Sequence, residues 1–370
     1  MLKEMKSQRF FVLTAVLAAV LLAGCDDKAT DGAVPVPDNI RPETLAQVVA
    51  SIELVPLETT DQFLGNSLNV TPDSGDGWIV YDTQNGIIHH YDAAGKFLGR
   101  IGQRGRGPQE FDLPNHVQMR DGLLYVYTNG ASELVVYRED GSFVGKEETG
   151  AQGSYGALAV DEGHLVYSGY SLAGDNMVKL IATDGTQTEF IPKKSSKMLP
   201  FHGAQVFSDT GGNVFIVPEW GDTVYRYADG HVKPTVRFDF GRAAFDDSLW
   251  NQENPASALI NKLASSDIAF LYAFWESRQM RAVGVMCNGV HRNGPCFGVE
   301  RHGKWAWFVL EQGKGLREPV CLEGDALVCP VDPAALDFLD PALREKISNP
   351  QVLDGVTEDS NYLLAKLHIK

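Results

Sequence analysis

Residues 95–111, GKFLGRIGQRGRGPQEF, place Arg100, Arg104 and Arg106 among five glycines, the spacing in this chain that comes nearest to a chemical motif. A phosphate-binding loop needs Gly-Lys followed by Ser or Thr, so that backbone N–H groups and the ammonium cradle an anion; here Phe97 follows Gly95-Lys96. The dinucleotide fingerprint also fails. Glu110 stands where the third glycine after Gly105 and Gly107 would lie, and no helix signal comes next. Two Arg-Gly dipeptides are too few for a disordered nucleic-acid-binding tract. The stretch therefore reads as a bend between two pieces of sheet that presents Arg104, Arg106 and Glu110 to ligand.

The remaining candidates are sparse. Residues 169–173 (GYSLA) imitate a nucleophile elbow around Ser171, but the second glycine is displaced and no strand-to-helix turn follows. His89 and His90 are neighbours in a β-rich run, so their side chains leave opposite faces and cannot share a metal; one core and one surface histidine is expected. Asp73 and Asp76 lack the alternating oxygen ligands of a calcium loop. No catalytic residue, metal site or cofactor is nominated. Two further pairs set an aromatic ring beside a carboxylate, Glu219-Trp220 and Trp275-Glu276, which suits sugar or peptide recognition. The competing account, which we expect for each tryptophan, is a ring wedged between layers of sheet.

Cys287, Cys296, Cys321 and Cys329 leave three readings open: local disulfides 287–296 and 321–329, buried thiols, or a four-thiolate zinc site. The zinc spacing is unfavourable, because paired ligands are usually separated by two to four residues and here many more intervene.

These residues must be positioned by a repeat. YDAAGKFLG, YREDGSFVG, IATDGTQTEF and YADGHVKPTV carry turn glycines at 95, 141, 185 and 230, and VERHGKWAWFV adds Gly303 after a longer gap. Each turn sits between β-rich arms, and a further strand pair precedes it, as in WIVYD or LLYVYT. Four strands per ~45 residues is the period of a propeller blade, since one twisted sheet cannot cover both its faces and must stack on others around an axis. Five turns give five blades. Residues 51–59 (SIELVPLET) and 362–369 (YLLAKLHI) are expected to join in a sixth, closing the ring. Two helical insertions are expected to cap one face or side of the ring. Asn254-Pro255 opens one with Leu259, Ile260 and Leu263 on a shared face, and Asp340-Pro341 opens the other with Leu343 and Ile347 a turn apart.

The start of the chain reads as an address. Lys3, Lys6 and Arg9 precede an apolar run at residues 10–23, too short to span ~30 Å of hydrocarbon at ~1.5 Å per residue. The run ends Leu22-Ala23-Gly24-Cys25, which resembles the bacterial lipobox; that resemblance implies cleavage of residues 1–24, lipidation of Cys25 and stable anchoring by more than one acyl chain. Residues 25–46 read as a lipidated cysteine and flexible tether, and residues 47–370 as the propeller. Asp26 and Asp27 resemble export signals of Bacteroidetes lipoproteins, while in other bacteria such an aspartate means retention at the inner membrane. An outer-membrane, lipid-anchored location is expected, with the side of that membrane left open. The formal charge is −16, and loss of residues 1–24 makes it more negative. Such a body repels nucleic acid, which is not expected as a partner.

IGQRGRGPQEF, with LVPLETTDQFLG before it and NYLLAKLHIK at the end, resembles the six-bladed β-propeller lipoproteins common in Bacteroidetes, distant relatives of NHL-repeat propellers. There a glycine-rich turn, an aromatic and a proline mark the passage between blades. Asn361-Tyr362 stands in place of the usual asparagine-proline. The resemblance implies an all-β ring and no general catalytic motif. The functional expectation is a non-catalytic binding module for glycan, peptide or an envelope partner in nutrient uptake. The alternatives are a propeller hydrolase or lyase acting on polysaccharide, and a scaffold for assembling outer-membrane proteins.

Overall fold

The structure, a computed structural model, describes residues 32–41, 44–151, 156–169, 174–195, 197, 205–208, 213–290, 293–311 and 313–370. Cys25 and Tyr170–Ala173 lie outside the described residues. Six antiparallel sheets form a six-bladed β-propeller. Blade 1 is Leu68–Pro72, Trp78–Asp82, Ile87–Tyr91 and Phe97–Arg100; blade 2 is Pro114–Arg120, Leu123–Thr128, Glu133–Arg138 and Phe143–Glu148. Blade 3 is Gly156–Val160, Gly163–Tyr167, Asn176–Ala182 and Gln187–Pro192; blade 4 is Gln205–Ser208, Val214–Val217, Thr223–Ala228 and His231–Asp239. Blade 5 is Ile268–Glu276, Arg281–Asn288, Gly294–Arg301 and Lys304–Val309. Each innermost strand contacts the next all the way around, so the ring is closed.

The turn glycines behave as their repeat predicts. Gly95, Gly141, Gly185, Gly230 and Gly303 have φ of 82°, 82°, 83°, 73° and 77°, a region that only glycine enters without strain. Successive residues of a strand point to opposite faces, and in a blade both faces are covered. In Trp78–Asp82 every residue is buried: Trp78 and Val80 pack toward blade 6, Ile79 and Tyr81 toward blade 2. The apolar core is accordingly six clusters, one in each gap between neighbouring blades.

Blade 6 joins the two ends of the chain. Cys321–Glu323 and Ala326–Val331 are followed by Leu363–Ile369, and Val49–Pro56 completes the sheet as its outermost strand, in register from Val49↔Ile369 to Pro56↔Leu363. The buried Asn361 clasps the following crossing, its amide donating to Glu58 O at 3.1 Å while its oxygen accepts from Leu64 N–H at 3.4 Å. On the next turn Asp82, fully buried, accepts from the N–H groups of Gly65, Gln84 and Asn85.

Two features differ from the sequence reading. The structured part begins before residue 47. Val34–Pro35 pairs in parallel with the outer strand of blade 4, and Val34, Val36 and Ile40 pack on the cluster around Phe238 and Phe240, so these apolar residues serve as a strap rather than a tether. A short helix, Thr44–Val48, then lies against the outer strand of blade 5. In the insertion helix Pro255–Leu263, capped by Asn254, Leu259 is buried but Ile260 is 55% exposed, because only a narrow stripe of so short a helix touches the ring. The second insertion runs down the side of blade 6: Ile52 N–H donates to Lys346 O, Ser348 N–H to Ile52 O, and the Asn349 amide pairs with both backbone groups of Leu54.

Neither disulfide forms; all four cysteines are buried thiols. Cys287 faces Gly294 and Cys296 faces Val285, which makes the two cysteines diagonal neighbours, ~7–8 Å apart and beyond disulfide reach. Cys321 faces Val328, so Cys329 leaves the opposite side of the sheet; the two enter different clusters.

Candidate functional site

The connectivity gives the ring two unlike ends. At one end, the turn end, the first strand of each blade turns into the second and, in blades 1 to 5, the third into the fourth, through two to five residues in the described turns. At the other, the crossing end, lie the passages between blades and the turns from second to third strand. These include residues 101–113, the insertion at 240–267 and the insertion at 332–362.

Arg104, Arg106 and Glu110 belong to the crossing end, between blades 1 and 2. Phe111, fully buried, anchors that loop against Tyr137, whose hydroxyl donates to Gln109 O at 2.7 Å. Arg104 lies across Gly86 with its guanidinium 3.7 Å from Asp112, both half exposed, and Arg106 is exposed. Glu110 folds inward onto its own loop. It accepts from Gly107 N–H at 2.7 Å and from the Gln103 amide, and these bonds hold its carboxyl below the usual range, the Gly107 bond most of all. A Cβ on Gly105 would sit 1.9 Å from its oxygen. Glu110 is thus a loop closure, and the two arginines carry the exposed charge.

Glu219 and Trp220 are also at the crossing end, on blade 4, but Trp220 is only 6% exposed. It packs against Phe270 of blade 5 and Phe245 of the insertion with ring centroids 4.6 and 5.3 Å away, in the cluster that also holds Trp250 and Leu259 of the insertion. Its φ of 57° is unusual for so bulky a residue and is held by that packing. Glu219 is buried beside it, its N–H donating to the Tyr167 hydroxyl at 3.1 Å.

Trp275 and Glu276 lie at the opposite end. Trp275 is half-buried against the cluster between blades 5 and 6. Glu276 opens into a polar cleft of about 500 Å³ between the two turns of blade 5, where Arg281 reaches it at 2.8 Å and Glu300 at 3.9 Å. The seven sequence-nominated residues are therefore spread over three places, two at the crossing end, between blades 1 and 2 and on blade 4, and one at the turn end of blade 5.

A family model described as a domain of unknown function, DUF4934, matches residues 33–299. The chain belongs to that family. Among curated proteins no relative matches it. Two solved structures share the ring. A protein described as exported, from Bacteroides fragilis, is 18% identical with a TM-score of 0.73, over 91% of this chain and 99% of its own. A member of the DUF4221 family from Bacteroides vulgatus is 13% identical with a TM-score of 0.54, over 87% and 97%. At such identities the likeness is one of fold.

The histidine pair also departs from expectation. His89 is buried against Phe97 and hydrogen-bonds the Tyr91 hydroxyl at 3.2 Å; burial lowers its pKa to about 4. His90 is no surface residue. Its Nε2 lies 2.9 Å from Asp73 of blade 1 and its Nδ1 3.0 Å from the Glu139 carbonyl of blade 2, so it ties two blades together at the turn end. Asp73 also accepts from Gly75 and Gly77 N–H, which accounts for DSGDG as a structural turn.

Proposed function

We propose that this DUF4934 chain is an envelope lipoprotein, anchored at Cys25 to the outer membrane, whose propeller binds a glycan, a peptide or an envelope partner without transforming it. The observation that supports the binding role above others is the asymmetry of the ring. Blades stacked on six buried clusters make a rigid frame, while residues 101–113, 240–267 and 332–362 place nearly all the added length at the crossing end. Loops held on a rigid scaffold are where binding residues concentrate. Arg104 and Arg106 stand exposed there. The envelope location is supported by the apolar run and lipobox-like residues 22–25, and by the neighbour described as exported.

The test is a thermal-shift and product-release screen against oligosaccharides and peptides. Stabilisation without turnover is the expected result. New reducing ends or unsaturated products would make the protein a hydrolase or lyase, and no response to any ligand would favour the scaffold reading. Cys25→Ser is expected to move the protein from membrane to soluble fractions; a variant that still sediments with membranes rules out the anchor.

A further inference from the structure

The turn end of the ring is acidic, with one exception. The two-residue turns of blades 2, 3, 4 and 6 carry Asp121, Asp161, Asp229 and Asp325, and the longer described turns carry Asp73, Asp92, Asp140 and Asp184. Blade 5 has no carboxylate in either turn: residues 277–280 read Ser-Arg-Gln-Met, and residues 302–303 read His-Gly. The replacement at 302 is not a change of backbone. His302 and Gly303 have φ of 53° and 77°, against 51° and 72° for Asp121-Gly122 and 50° and 73° for Asp229-Gly230. Aspartate and histidine both tolerate this left-handed conformation, so the backbone leaves the choice between them open.

The two turns face each other across the cleft of about 500 Å³, a volume in the range of ligand pockets. The longer turn is pre-set. Ser277 Oγ accepts from the N–H groups of Gln279 and Met280 at 3.2 and 3.1 Å, and the Met280 side chain is buried, which leaves Arg278 and Gln279 exposed at the tip. The floor is Arg281 between Glu276 and Glu300. There two carboxylates share the single guanidinium of Arg281, and carboxylate oxygens and guanidinium N–H groups lie side by side, an alternation of acceptors and donors that suits the hydroxyls of a sugar. The positive charge of the lining comes from Arg278 and Arg301, and neither Arg278 nor His302 on the rims has a carboxylate in its own turn.

We infer that this cleft binds an anionic saccharide, with the hydroxyls on the Glu276–Arg281–Glu300 floor and the carboxylate or sulfate group toward Arg278 and His302. The inference adds a ligand class at the end of the ring away from the long insertions, and it depends neither on the lipid anchor nor on those insertions.

Calorimetric titration of the full chain with an oligogalacturonate, a sulfated chondroitin disaccharide, a neutral malto-oligosaccharide and poly-glutamate tests it. At least one anionic sugar should bind, with the neutral sugar and the peptide at least tenfold weaker and affinity falling as salt is added. Which anionic sugar binds identifies the charged group. R278Q and H302D should each weaken binding about tenfold or more. H302D should keep the wild-type Tm, since aspartate occupies the same backbone conformation at 121 and 229. Failure of both anionic sugars to bind, equal binding of the neutral sugar or the peptide, or unchanged affinity in both variants overturns the inference.

Discussion

The outer rim of the ring is protected differently on its two halves. In blades 4, 5 and 6 the outermost strand is covered by more chain: Val34–Pro35, the helix Thr44–Val48 and residues 346–349. In blades 1 and 2 the corresponding strands are bare and each is broken by one extra residue, Leu98 or Val144, which bulges outward and is 55% or 43% exposed. Both devices deny the edge to a foreign strand. The two devices combine in blades 4 and 6, whose covered outer strands also carry one extra residue, Thr235 and Ala50. In blade 6 the covered strand, Val49–Pro56, is separated in sequence from the rest of its sheet.

The largest effect expected from this contrast is on closure. Deleting residues 1–56 removes the strap and the outer strand of blade 6 together, and should abolish the single cooperative unfolding transition followed by circular dichroism. Deleting residues 1–41 removes only the pairing on blade 4 and should lower Tm while keeping one transition. Equal behaviour of the two deletions would break the comparison.

The repeated turn glycines sharpen it next. A Cβ at Gly95 would lie 2.1 Å from Pro56 O of blade 6, whereas one at Gly230 meets nothing within 4 Å. Gly230→Ala should cost about 1 kcal/mol for its backbone angle alone, and Gly95→Ala ~3 kcal/mol or more in urea denaturation, because the closing strand must also move. Smaller again are the two asparagines that bind blade 6. Asn361→Ala removes a fully buried amide and should cost about 1–3 kcal/mol; Asn349→Ala, at an amide that is itself only half-buried, about 0.5–1.5 kcal/mol.

A last effect is a pH dependence, to which His89 of blade 1 contributes together with His116 of blade 2, whose pKa burial also lowers to about 4. His89 has a folded pKa of about 4 against about 6.5 when unfolded. The unfolded chain therefore binds more protons between those values. The stabilisation from keeping His89 neutral is fully present above pH ~6.5 and is lost as pH falls toward 4. His89→Phe should flatten part of the decline in Tm from pH 7 to pH 4.5.

The fold was legible because its signal is local and repeated: a turn glycine every ~45 residues and alternating arms determine a blade, and the pairing of residues 51–59 with 362–369 follows from the need to close the ring. The strap was not, because Val34, Val36 and Ile40 are scattered apolar residues without a period. Trp220 beside Glu219 is a recognition candidate for which a packed ring is the expected account, and its burial against Phe270 agrees with that account. The cleft in blade 5 joins turns at 277–280 and 302–303, distant in sequence and without a motif. Its signal was present all the same, as arginine and histidine in turns whose counterparts carry aspartate, and it emerges only when the blades are aligned on one another.

The strand order of blade 6 also orders events in time. Residues 49–56 leave the ribosome long before their partners at 363–369 are made. The nascent ring thus stays an open arc until that seven-residue strand emerges, and sealing waits on it. A product that stops before residue 363 leaves Val49–Pro56 without its partner strand, a lesion far larger than the missing peptide.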